Sequence, residues 1–117
     1  MIVVKGIIKI ARDGDHDEAV YVDDEILAEV LEDKIHNKQV SVNYFIADQP
    51  ETKAVLIEDL IKKLYGAADA KYNHVYSEYT GYLWTDEEFN IGGHDLIEEI
   101  RSNAGKFLYM EIDIQTA

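Results

Sequence analysis

The sequence predicts an α+β fold made of two pseudo-symmetric strand-strand-helix-strand units, and three observations predict it. Apolar and polar residues alternate over short runs such as Val4 to Ile10 and Val40 to Ile46. Two helical stripes, Ile26-Leu27-Val30-Leu31 and Leu96-Ile97-Ile100, each follow a pair of strand-like runs. The order of elements in residues 2–49 then recurs in residues 75–115.

The first unit reads in order. Ile2 to Ile10 is a strand in which Val4, Gly6, Ile8 and Ile10 alternate with Lys5 and Lys9. Asp13-Gly14-Asp15 is turn chemistry, and Ala19 to Val22 returns as a second strand. Asp23 or Asp24 is expected to cap a helix, and after Lys34 to Lys38 a third strand runs over Val40 to Ile46. In the second unit, Tyr79 to Trp84 is a strand, Asp86 to Glu88 a turn and Phe89 to Ile91 a short return. Gly92-Gly93 makes the turn into a helix over Asp95 to Arg101 that His94 caps, and Phe107 to Ile114 closes the chain as a strand. Aligning Gly6 with Gly81 places Ile26-Leu27 over Leu96-Ile97 and Val30 over Ile100. Between the units, residues 51–65 carry Leu56, Ile57, Leu60, Ile61 and Leu64 at helical spacing, so an inserted helix is expected there, with Pro50 in its first turn. Gly66 ends that helix, and Ala67 to Lys71 reads as a linker inside a single domain.

This order of elements resembles the double-psi β-barrel and related cradle-loop barrels. The resemblance implies a six-stranded barrel with a Gly-Asp turn in each half. Gly14-Asp15 fits the first turn, whereas the second half has Gly92-Gly93-His94-Asp95 in a different place. A two-layer α+β sheet with the same elements is the alternative.

Composition narrows the function. Among 117 residues, 24 Asp and Glu oppose 11 Lys and Arg, for a formal net charge of −13, and 47% of residues are apolar. That is a folding composition whose field repels nucleic acid and anionic lipid. The absence of cysteine excludes disulfides, thiolate catalysis and Cys-ligated metal. No apolar run reaches the length of a membrane span, and Met1 to Lys5 lacks the pattern of a signal peptide, so a cytoplasmic location is expected.

The charge is concentrated. From Asp13 to Asp33 there are ten carboxylates and no Lys or Arg. Asp13, Asp15, Asp17 and Glu18 form one acidic run, and Glu25, Glu29 and Glu32 are expected as a stripe on the first helix. Helical neighbours at this spacing lie about 5–6 Å apart, and phosphates along a DNA strand rise about 3.4 Å each. Such a row can engage the lysines and arginines with which other proteins grip nucleic acid. Asp13, Asp15 and Asp17 could also turn hard oxygens to a divalent cation. The EF-hand pattern fails, however, because Glu18 stands where the sharp-turn glycine belongs, so no metal or other cofactor is expected. His16, His36, His74 and His94 form no metal-binding pair, His94-Asp95 lacks the further ligands of a metal phosphohydrolase, and no nucleophile elbow is present. No enzyme is expected. Aromatic residues gather in Tyr76, Tyr82 and Trp84, which suit either cover by the inserted helix or an interface, including one between copies of the chain.

Small size, acidity and the lack of catalytic residues make the chain similar in general character to phage and mobile-element proteins of the anti-CRISPR and anti-defence type. That resemblance implies an inhibitor that occupies a basic, nucleic-acid-binding groove of a host protein. Sequestration of a nucleotide and a structural or assembly role are the alternatives.

Overall fold

Alternation along the first strand decides which face is buried. In β1 (Ile2–Arg12), Ile2, Val4 and Ile8 pack into the main core while Val3, Lys5, Ile7 and Lys9 are exposed. The structure, a computed structural model, describes residues 1–12, 18–48, 61–79 and 82–115, without the side chains of 74–77 and 82–84. After β1 come β2 (Glu18–Val22), β3 (Glu25–Ile26), α1 (Leu27–Ile35) and β4 (Gln39–Ala47). They are followed by β5 (Lys62–Ser77), β6 (Tyr82–Ile91), β7 (His94–Asp95), α2 (Leu96–Arg101) and β8 (Phe107–Ile114).

All eight strands join one antiparallel sheet in the order β3-β2-β1-β8-β4-β5-β6-β7. The sheet curls into a half-barrel. This is an α+β architecture with eight strands among the described residues, where six were expected. Outward from the central β8–β4 pair, β1, β2 and β3 lie on one side and β5, β6 and β7 on the other. Both helices pack on the same face of the sheet. Leu27, Leu31 and Ile35 of α1 and Leu96, Ile97 and Ile100 of α2 share a core with Tyr44, Phe89, Met110 and Ile112. On the opposite face Phe45 and Ala47 are buried with Ile61, Phe107 and Tyr109 against them. The Phe45 and Tyr109 rings stack there with centroids 5.5 Å apart.

The largest departures from the sequence reading fall between residues 61 and 91. The expected inserted helix is not helical where it is described: Lys62 to Tyr65 belong to β5, and residues 51–60 lie outside the described residues. The expected linker, Ala67 to Lys71, is the middle of the same strand, with Ala68 and Ala70 fully buried. Alanines carry little weight in a hydrophobic pattern, yet their small size is what lets α1 pack on β5. Asp86 to Glu88 are not a turn either; they lie inside β6, which runs unbroken to Ile91. Tyr79, expected to begin a strand, sits in the β5–β6 turn with its side chain fully exposed.

Gly81, aligned with Gly6 in the sequence, lies outside the described residues; Gly6 and Gly66 each sit inside a long strand. Gly6 stands opposite Leu108 in β8, and Gly66 opposite Val40 in β4. Both have positive φ, +152° and +148°. A Cβ on Gly6 would come within 2.8 Å of the Asp23 amide nitrogen, and one on Gly66 within 2.6 Å of Gly92 Cα. Each long strand is thus crossed closely by a tight turn, which only glycine permits.

Candidate functional site

The acidic first half is organised by one of those turns. Asp23 and Asp24 join β2 to β3 with φ of 54° and 62°, so both residues adopt the left-handed conformation of a tight hairpin turn. The corresponding turn from β6 to β7 is made by Gly92 and Gly93, at 56° and 85°. Neither aspartate caps α1, as the sequence reading expected; the N-cap is Ile26, with no side-chain cap. In the second half the cap is Asp95, not His94, and its carboxylate accepts from the Glu98 amide at 3.2 Å.

The helix therefore starts at Leu27, and Glu25 belongs to β3. Glu29 and Asp33, four residues apart, continue its line along exposed α1. Together with Asp24 they edge a groove of about 600 Å³ over Ile26 and Val30, in which Lys34 is the cation. All four carboxylates are exposed, and none makes an ion pair with a described residue.

Glu32 does not join them. Its Oε2 accepts from the Tyr72 amide at 3.2 Å, and one turn later His36 Nδ1 accepts from the Ala70 amide at 3.2 Å. Beyond Ala67, β5 has outrun β4, and these side chains of α1 and its C-cap satisfy amides that no neighbouring strand reaches. Glu18 stands opposite Arg12 in the β1–β2 ladder. Asp13, Asp15 and Asp17 lie outside the described residues. Among the described residues no three His, Asp or Glu side chains are placed to hold a metal ion. Tyr76, Tyr82 and Trp84 fall in the β5–β6 hairpin, where the strands are described but those side chains are not.

Two polar clusters went unforeseen. Glu87, from the run read as a turn, has a side chain only 1% exposed. It accepts from the Val20 amide of β2 at 2.8 Å and from Arg101 Nη2 of α2 at 2.7 Å. The second cluster centres on Glu99. Its carboxylate accepts from the Tyr44 hydroxyl and from Lys62 Nζ at 2.8 Å, with His94 Nε2 3.9 Å away. The signal for Glu99 was its spacing of four and three residues from Asp95 and Leu96 at the start of a short helix, but the sequence offers no way to pair it with Tyr44.

Titration follows from the Glu99 contacts. Burial raises the Glu99 carboxyl, but the hydrogen bonds from Lys62 and Tyr44 and the charges of Lys62 and His94 outweigh it, leaving the group below its ordinary 4.5. Burial first, then the bond to Glu99 and its charge, push the Tyr44 phenol well above its ordinary 10.0. The Tyr109 phenol is raised as well, chiefly by donating to Glu111 Oε1 at 2.7 Å. A depressed acid stabilises the fold above its unfolded pKa, and that contribution is lost as pH falls through the folded value. A raised phenol stabilises below its unfolded pKa and loses that contribution as pH rises. Denaturant midpoints are therefore expected to decline below about pH 4.5 and again above about pH 10. Glu99→Gln should flatten the acid limb, and Tyr44→Phe should shrink the alkaline limb to the part due to Tyr109. Unchanged limbs in both variants would count against this account.

No family model matches the chain, and neither does any curated protein or solved structure compared with it. Among the described residues no helix is long and apolar enough to cross a membrane.

Proposed function

We propose that the chain is a non-enzymatic acidic binding protein whose β3–α1 face occupies a basic, nucleic-acid-binding surface of another protein. One observation carries this reading: Asp24, Glu25, Glu29 and Asp33 are exposed along one groove, without an internal cation paired to any of them among the described residues. Four carboxylates held side by side repel one another, and a row of lysines and arginines relieves that repulsion while burying Ile26 and Val30. The turn supports the same reading. Both turns have positive φ, which Gly92-Gly93 adopts without strain, whereas Asp23-Asp24 bears that strain and sets the Asp24 carboxylate at the groove's edge. Within this reading, an anti-defence inhibitor of phage or mobile-element origin that mimics nucleic acid is the class of protein that fits.

We further propose that the fold consists of two repeated units, β1–β4 and β5–β8, in place of the boundaries expected from sequence. The paired glycines, the paired tight turns and the strand order support it. On this reading the first unit became the acidic binding face.

The test is competition. A complex with a basic nucleic-acid-binding protein should form at 0.05 M salt, dissolve towards 1 M salt, and be displaced by the double-stranded DNA or RNA that the partner binds. A ternary complex containing both the nucleic acid and this chain would refute the reading.

A further inference from the structure

β1 and β5 both outrun the central strand beside them, and the two overhangs are finished differently. In β5 the Ala68 amide donates to the Lys38 carbonyl at 2.8 Å, and the Asn37 amide donates to the Ala68 carbonyl at 2.9 Å. His36 and Glu32 then take the Ala70 and Tyr72 amides. β1 begins in the same way: the Ile8 amide donates to the Lys106 carbonyl at 2.8 Å, and the Gly105 amide to the Ile8 carbonyl at 2.7 Å. There the cover stops. α2 has six residues against nine in α1, and Ala104 has no side-chain acceptor to offer.

Alternation turns the Ile10 backbone to the same edge as Ile8. The residue opposite Ile10, Val20, sends its amide to Glu87, so that pair exchanges no hydrogen bonds between the strands. The Ile10 N–H and C=O therefore have no protein partner among the described residues. Beside them runs a groove of about 640 Å³, lined by Ile8, Lys9, Ile10, Ala104, Gly105 and the Asp23-Asp24 turn.

We propose that this groove receives an extended basic segment of the partner protein, which adds to the edge of β1 as a further strand. The proposal rests on the acidic-face reading and specifies the partner's form. A backbone edge that presents one donor and one acceptor selects an extended chain. Asp23 and Asp24 at the rim select lysine or arginine in that chain. Asp24 also edges the α1 groove, so the two acidic surfaces are continuous.

The experiment uses the isotope-labelled chain and, as probe, a capped octapeptide of alternating Lys and Val at 0.05 M salt. Saturating peptide should shift the Ile10 and Gly105 amide resonances and slow hydrogen exchange at Ile10 at least tenfold. The Ala70 amide, already bonded to His36, should be protected throughout. Proline at a central Val of the peptide should weaken binding at least tenfold. Ile10→Pro removes the donor at the groove without touching the β1–β2 ladder and should have the same effect. Ala104→His, which supplies an acceptor from within as His36 does, should also compete the peptide out and keeps the test alive if the proline variant does not fold. Peptide binding that shifts only Glu25, Glu29 and Asp33 overturns strand addition and supports the acidic face. Slowing at Ile10 that survives lysine substitution at those three positions supports the groove, whose charge comes from Asp23 and Asp24, and the acidic face is then judged by its competition with nucleic acid. No binding at all overturns strand addition, and the acidic face is then judged by its competition with nucleic acid.

Discussion

Lysine substitution at Glu25, Glu29 and Asp33 together is expected to weaken the complex with a basic partner about 100-fold at physiological salt. An exposed ion pair contributes about 0.2–1 kcal/mol, and reversal replaces attraction with repulsion, so three positions together are worth roughly 3 kcal/mol. The loss should shrink towards nothing at 1 M salt, where screening acts over about 3 Å. Because all three residues are exposed and pair with no described residue, the melting temperature should hold or rise as like-charge repulsion on α1 is relieved. Asp23→Gly with Asp24→Gly sharpens the contrast. It gives the first turn the residues that the second already uses, and relief of two positive-φ aspartates should stabilise the fold by about 1 kcal/mol while binding falls. Titration calorimetry across a salt series, with melting curves beside it, reads both effects. Affinity unchanged by the triple reversal would rule out the acidic face as the binding surface.

Glu87→Leu is expected to cost the fold about 3 kcal/mol, which lowers the melting temperature by roughly 10 °C. The Glu87 carboxylate links three elements that are far apart in sequence: β6, the Val20 amide of β2 and the Arg101 guanidinium of α2. These bonds tie the two outer parts of the curled sheet to each other. Leucine leaves the Val20 amide without its acceptor and Arg101 without its anion. Glu87→Gln keeps an acceptor for Val20 but loses the charge, so it should cost only about 1 kcal/mol. Calorimetric melting of the three proteins decides the matter. Equal melting temperatures for the wild type and the leucine variant would mean that packing of the helices, not this carboxylate, holds the half-barrel closed.

Much of the fold was legible where patterns are strong and local. Ile2 to Ile10, Ala19 to Val22, Val40 to Ile46, Asp95 to Arg101 and Phe107 to Ile114 were each read close to their true elements, because alternation or helical spacing is unmistakable in them. β5 was missed because its buried positions 68 and 70 are alanines and because Leu60, Ile61 and Leu64 happen to match helical spacing. β6 was broken in the reading because Asp86-Glu87-Glu88 looks like a turn when Arg101 is not in view. For the candidate site, Glu25 and Glu29 were named, while Asp24 and Asp33 were not. Glu32 was misassigned, since nothing in a chain of letters shows that an overhanging strand 40 residues later needs its carboxylate.

Two things about this protein were therefore in its amino-acid order alone: an α+β chain with a strongly acidic first half, and a residue set without cysteine. Both rest on composition and short-range periodicity, which each residue carries with it. Folding decided which carboxylates work inside the fold and which stay exposed. Glu32, Glu87 and Glu99 accept hydrogen bonds from Tyr72, Val20 and Tyr44, partners between 40 and 67 residues away. Asp24, Glu25, Glu29 and Asp33 are left along one groove. Like charges are alike in sequence, and only the path of the backbone tells which of them meets a donor and which meets water.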